Sequence, residues 1–185
     1  MGSEMPILWL LCSGLSEGRP EVTGIIQSDA YQAQLRSADF PALANAFLCC
    51  SQIHQEHFGE LVDAGWAAVF AAWVCDDASN EIGAQNCRKR ATVLLQRARE
   101  VGQRFSAEVG GEEAIMADLL RWSGQFELPL RLCEEGLKKN PQRIISRVLR
   151  FQKILISRSD VACHKASEAT QSSPRMPKTR HDLKE

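Results

Sequence analysis

Cys50, His54 and His57 stand at i, i+4 and i+7, a spacing that on an α-helix puts one thiol and two imidazoles on a single face. Thiolate and imidazole are ligands that zinc prefers. A four-coordinate site would need one more donor, for which Asp76 or Cys75 is available elsewhere in the chain. Cys49 lies beside this set. In the plainer account Cys49 and Cys50 pack in a core and the histidines end a helix favourably, because a cationic imidazole complements the negative pole of a helix C-terminus. No metal-ligand motif of known specificity is matched. The expectation is therefore no cofactor, with zinc at Cys50, His54 and His57 as the alternative.

A thiol enzyme needs a cysteine, a histidine base and an orienting carboxylate. Cys163-His164 and Cys50 with His54 each supply two of the three. Adjacent residues on a helix point about 100° apart, which counts against the first pair. Asp76-Asp77 beside Trp73 could face a ligand, yet with Asn80 they equally make a helix-ending turn. No set completes a catalytic arrangement, so the chain is not expected to be an enzyme.

The stronger surface signal is charge. Between Gly136 and Ser159 lie seven Lys and Arg and no acid. Arg143, Arg147 and Arg150 share a helical face, with Lys153 one residue group further along, and these four are the candidate partner-binding residues. Ile144, Val148, Phe151 and Leu155 form the stripe expected to be buried opposite them. Plain solvation accounts for such a face equally well. Nucleic acid is disfavoured by the net charge of −1 and the lack of interleaved exposed aromatics.

That net charge conceals a division. Residues 1–87 hold two Arg and no Lys against eleven acidic residues, whereas residues 88–185 hold twenty Lys and Arg against twelve. No Lys or Arg occurs between Ser37 and Cys87. Basic helices could then face acidic ones, either within one array or head to tail between copies.

Elements follow from periodicity. At 185 residues and 44% hydrophobic content the chain can bury one core. Residues 1–27 read as an irregular segment in which Val22–Ile26 either pairs in a hairpin or lies against helices, 28–170 as the helical domain, and 171–185 as a disordered tail. Ser28-Asp29 cap a short helix to Arg36. Asp39 is the expected N-cap of the next, with Pro41 in its first turn and Gly59 at its end. Ala64, Ala68, Ala71 and Cys75 form one stripe of the following helix and Trp66, Phe70 and Trp73 another, which predicts burial on two sides. From Ala84 an alternation of threes and fours runs to Phe105. After Gly110-Gly111, helices are expected at 112–122, 127–137 and 142–158.

Nothing approaches a membrane span. A secretory leader is argued against by Glu4 and by an apolar run, Ile7–Cys12, of six residues. Pro6 breaks the myristoylation pattern. Seven cysteines, an odd number at apolar helical positions, favour buried thiols in a reducing cytoplasm.

Residues 113–141 resemble a tetratricopeptide (TPR) unit in register. Ala117 and Leu120 fall at small and large positions of its first helix, Gly124 and Phe126 at its turn, Gly136 at a small position of its second helix and Pro141 at its end. Pro129 and Cys133 depart from the pattern. A looser likeness, to bacterial proteins with a Cys-x-x-Cys zinc element ahead of TPR-like helices, stops at Cys12, which has no second cysteine near it. The resemblance implies an all-α, irregular TPR-like array of antiparallel helical hairpins. It also implies a non-catalytic protein–protein interaction module, taking a protein or peptide, of acidic character if the Arg143/Arg147/Arg150 face selects it, and with self-association open.

Overall fold

Small residues set the architecture. In the computed structural model, which describes residues 20–162, 164 and 166–171, the chain is all-helical. The elements are α1 (Pro20–Ile26), α2 (Asp29–Leu35), α3 (Ala42–Ile53), a π-helical turn (His54–Phe58), α4 (Leu61–Asp77), α5 (Glu81–Glu100), α6 (Gly111–Trp122), α7 (Glu127–Lys138), α8 (Arg143–Ser157) and α9 (Ala166–Gln171). From α2 to α9 each helix packs on its successor, and α6 also packs on α8.

Local chemistry explains the boundaries. Ser28 is an extended N-cap whose hydroxyl accepts from Tyr31 N–H at 3.2 Å. Asn80 caps α5 by accepting from Gly83 N–H at 2.9 Å. The expected Asp39 cap of α3 is not formed: Pro41 occupies the cap position, and Asp39 sits in the preceding loop, where its N–H donates to Ser37 Oγ. Val22–Ile26 belongs to helix α1 rather than to a strand, because Val22 and Ile25 pack with Tyr31, Cys49 and Ile53. The rest of the N-terminal segment (1–19) and the tail (172–185) lie outside the described residues.

Two expected helical stripes shift. α5 ends at Glu100, not Phe105, since Gly102 at φ 78° turns the chain left-handed and Gln103 N–H closes on Ala98 C=O. Val101 is therefore exposed, while Phe105 drops back into the core from the loop. On α8 Leu149, Gln152, Leu155 and Ile156 are buried, Leu155 as expected, and Ile145 and Val148 are partly buried. Ile144, expected inside, is 57% exposed, so the stripe is rotated by about one residue position.

On α4, Ala64, Ala68, Ala71 and Cys75 are wholly buried, and Gly65 lies against α5 so closely that a Cβ would come within 2.6 Å of Leu95. The aromatic stripe is not buried as expected. Phe70 is 37% and Trp73 51% exposed, because α4 has neighbours on its small-residue side and a cleft on the other. A second close approach fixes the 111–138 hairpin: a Cβ on Gly136 would meet Leu149 at 2.9 Å and Glu113 Cβ at 3.0 Å.

Overpacking the α4–α5 contact should be costly. Gly65→Val is expected to lower stability by about 1–3 kcal/mol, read as a lower urea midpoint at unchanged slope. Gly24→Ala, in a helix with nothing within 4 Å, should instead gain up to about 1 kcal/mol.

Candidate functional site

α4, α6 and α8 together wall a cleft of about 400 Å³, with His164 and Ala169 also in its lining. Its apolar lining comes from Trp66, Val69 and Trp73 on α4, Ile115 and Leu119 on α6, and Ile145, Val148 and Phe151 on α8. The helical period explains the selection. Trp66, Val69 and Trp73 recur at spacings of three and four, as do Ile145, Val148 and Gln152. Ring contacts extend the α4 stripe, with Phe70 5.6 Å from Phe47, 6.0 Å from Trp66 and 5.4 Å from Trp73.

Part of the lining is polar, from Arg88, Asp118, Gln152 and His164, and Asp118 and Gln152 belong to a network anchored on Arg121, a guanidinium with no solvent exposure. Arg121 donates to Gln152 Oε1 and Asp118 Oδ1, both at 2.9 Å, and to the backbone carbonyls of Asp160 and Ala162. Gln152 Nε2 returns to Asp118 Oδ1 at 2.9 Å. The Arg88 guanidinium lies 3.5 Å above the Trp122 ring and makes a two-bond pair with Asp76. Buried polar groups are tolerated where partners replace water, and those of this network are partnered. Among the described residues the one buried side-chain polar atom without a partner is Ser51 Oγ, which is not in the cleft lining.

His164 bridges two carboxylates, Asp160 and Glu168, each at 3.0 Å. The Glu168 bond, followed by Asp160, raises the imidazole above its ordinary 6.5. Asp160 is held below the usual carboxylate range, first by the Ala162 N–H and then by His164. Only the i, i+4 spacing of Asp160, His164 and Glu168 hints at this bridge in the sequence, since its Arg121 anchor lies far away in the chain.

The residues first singled out are placed as follows. Cys49, Cys75, Cys87 and Cys133 are buried free thiols, as expected, and Cys50 is disulfide-bonded, which departs from the expectation of reduced thiols and removes it as a thiolate ligand. Burial pushes Cys49 up to about 11 and Cys87 and Cys133 up to about 12, so none of these three offers a thiolate near neutrality. Cys50, His54 and His57 do not converge. From His54 the helix winds with i→i+5 bonds, and that change of phase takes His57 off the shared face, edge-on to Phe58 at 4.4 Å.

The potential ligand atoms that do gather, within 4.8 Å of one another, are those of His54, Glu60 and Asp63. Glu60 and Asp63 were missed because Gly59, at φ 66°, folds them back over the turn. Glu60 already bonds His54 Nδ1 at 2.8 Å on an exposed surface. Cys163 lies outside the described residues, so its pairing with His164 is not placed. Asp76 faces Arg88 rather than a ligand, and Asp77 ends α4.

Of the candidate partner-binding residues, Arg143 and Arg150 are exposed and Arg147 half-buried, while Lys153 pairs with Glu134 at 3.1 Å. Among the described residues no carboxylate pairs with Arg143, Arg147 or Arg150. No described helix is long and apolar enough to cross a membrane. No protein-family model, curated protein or solved structure matches the chain.

Two outcomes follow. Arg121→Met should destabilise the fold by about 2–4 kcal/mol, since Gln152 Oε1 and the carbonyls at 160 and 162 lose the Arg121 donor, and hydrogen exchange there should rise first. The pH dependence of the His164 bridge has a definite sign. Its contribution is full below 6.5 and lost as pH rises through the raised value, while that of Asp160 is present above 3.8 and lost as pH falls. Protection of residues 160–171 should therefore peak in the mildly acidic window between these values, and His164→Gln should abolish the alkaline loss.

Proposed function

We propose that this chain is a non-catalytic interaction module, an irregular TPR-like helical array that holds an apolar segment of another protein in the cleft between α4, α6 and α8. The observation that carries this reading is the cleft itself. It has mostly aromatic and aliphatic walls, and the polar side chains Asp118 and Gln152 that line it are bonded to each other and to Arg121.

Such a surface gains by burying apolar side chains, at roughly 25 cal/mol per Å² removed from water, and has few polar groups with unused bonding capacity. The α6–α7–α8 arrangement supports the TPR-like description, because Gly136 allows the close helix contact that the repeat pattern needs at that position. Arg143, Arg147 and Arg150, unpaired on the outer side of α8, favour partners with acidic flanks and act on association rate more than on affinity. The rival reading, a metal- or thiol-dependent protein built on Cys49, Cys50, His54 and His57, has less support, because those side chains neither converge nor supply thiolates.

Peptides carrying two or three aliphatic residues at helical spacing, flanked by acids, test the reading by titration against intrinsic tryptophan fluorescence. A saturable change is expected, with affinity falling about tenfold or more for Trp73→Ala and for Val148→Asp. Binding that ignores both substitutions, or no binding across the panel, would overturn it.

A further inference from the structure

Two exposed surfaces of this chain match each other in charge and in apolar content. The first is the outer side of α8, the last long helix. At about 100° per residue, Arg143, Arg147, Arg150, Ile154 and Arg158 fall on one face. Ile154 is 39% exposed there, and Ile144 at the edge is 57% exposed. None of the four arginines has a carboxylate partner among the described residues.

The second surface is assembled from two separate turns. Asn80 Nδ2 donates to Asp39 C=O at 2.7 Å, tying the loop before α3 to the turn between α4 and α5. That bond brings together Asp39, Asp77 and Glu81, all exposed. Beside them Leu43 and Ile82 are 40% and 75% exposed. Asp77 and Glu81 make no ion pair among the described residues, and Asp39 has only a 3.4 Å contact from Ser37 Oγ. Arg36 is the one cation close by in sequence, and the stretch from Ser37 to Cys87 has no other.

We infer that the partner of the basic face of α8 is this acidic edge on a second copy of the chain, so that the protein associates head to tail. The inference shares its arginine face with the interaction reading above but does not use the cleft. Three carboxylates around two exposed aliphatic side chains face four guanidiniums around two more. The aliphatic groups supply burial, and the rim charges supply orientation and rate. A two-fold symmetric dimer through either surface alone would set like charges against each other. The complementary contact joins unlike surfaces, and where only one such pair forms between two copies it is heterologous and builds rings or open filaments rather than closed dimers.

Sedimentation velocity on the full chain, from about 0.02 M to about 0.5 M salt, reads the association directly, because screening shortens the reach of exposed charges over this range. Oligomers are expected at low salt, with the association constant falling about tenfold or more at high salt. Two charge-reversed triples, R143E/R147E/R150E and D39K/D77K/E81K, should each be monomeric when alone. Mixed together they should associate again, since one then keeps the acidic edge and the other the basic face. Five of the six positions are exposed and Arg147 is half-buried, so circular dichroism checks that each variant remains helical. A chain that stays monomeric at low salt overturns the inference, as does an oligomer indifferent to the acidic-edge triple. So does a monomer that binds vesicles of anionic phospholipid and loses them with the arginine triple, which would make the face a membrane contact. Retention of peptide binding in the cleft by the D39K/D77K/E81K triple, which leaves the arginine face intact, separates this outcome from failure of the cleft reading.

Discussion

The distance between α4 and α5 determines what the rest of the molecule can be. Gly65, Ala64, Ala68 and Ala71 let α4 approach its neighbours so closely that a methyl group at Gly65 would strike Leu95. Close approach uses up one side of α4. An α-helix cannot also pack its large side chains there, so Trp66, Phe70 and Trp73 emerge on the other side, where Phe70 and Trp73 stay partly open to solvent. The cleft is thus a consequence of the small-residue seam. Its aromatic wall is held by the backbone position of α4, and ring-to-ring contacts from Phe47 through Phe70 to Trp73 support it from the side.

Charge fixes the opposite wall. Glu113, 2% exposed on α6, is met by Arg99 from α5 at 3.3 Å and by Lys139 after α7 at 2.9 Å. Arg121, one helix-length along, is met by Gln152 of α8 and by the chain at 160–162. Removing one partner from such buried sets leaves an uncompensated group, which is why they specify an arrangement more than they stabilise it. α6 is therefore pinned at both ends, and the residues it offers to the cleft, Ile115 and Leu119, lie between the pins.

Much of this was legible in the sequence, and the failures have physical causes. The helices at 111–138 and 143–157 fall where Gly110-Gly111, the Ser123-Gly124-Gln125 turn and Asn140-Pro141 place them, because breakers act locally. Phase was less legible. Ile144 and Ile145 are chemically equivalent in a pattern, and only the position of the neighbouring helices decides which one points inward. The His54–Phe58 turn defeated helical spacing altogether, since nothing local distinguishes π from α winding. The aromatic stripe on α4 was read correctly as a face and wrongly as buried, for periodicity reports a face without reporting a neighbour. The Arg121 network was invisible, as its members lie at 118, 121, 152, 160 and 162 and meet only in three dimensions.

Charge segregation along the chain becomes segregation in space because the helices pack in succession. In a fold with long crossovers, an acidic first half and a basic second half would interleave and neutralise each other. Here α2 and α3 pack on their sequence neighbours and α8 on α6, α7 and α9, so each half keeps its charge near its own end. Some of the opposing charge is still consumed internally, as in Asp76 with Arg88 and Lys153 with Glu134. Among the described residues, Arg143, Arg147, Arg150 and Arg158 on one surface and Asp77 and Glu81 on another make no ion pair, each set beside exposed aliphatic side chains. Isolated surface charges are well hydrated and need no partner. Charges of one sign grouped around exposed isoleucines are different, since hydrating the apolar atoms carries a cost that only a complementary surface relieves.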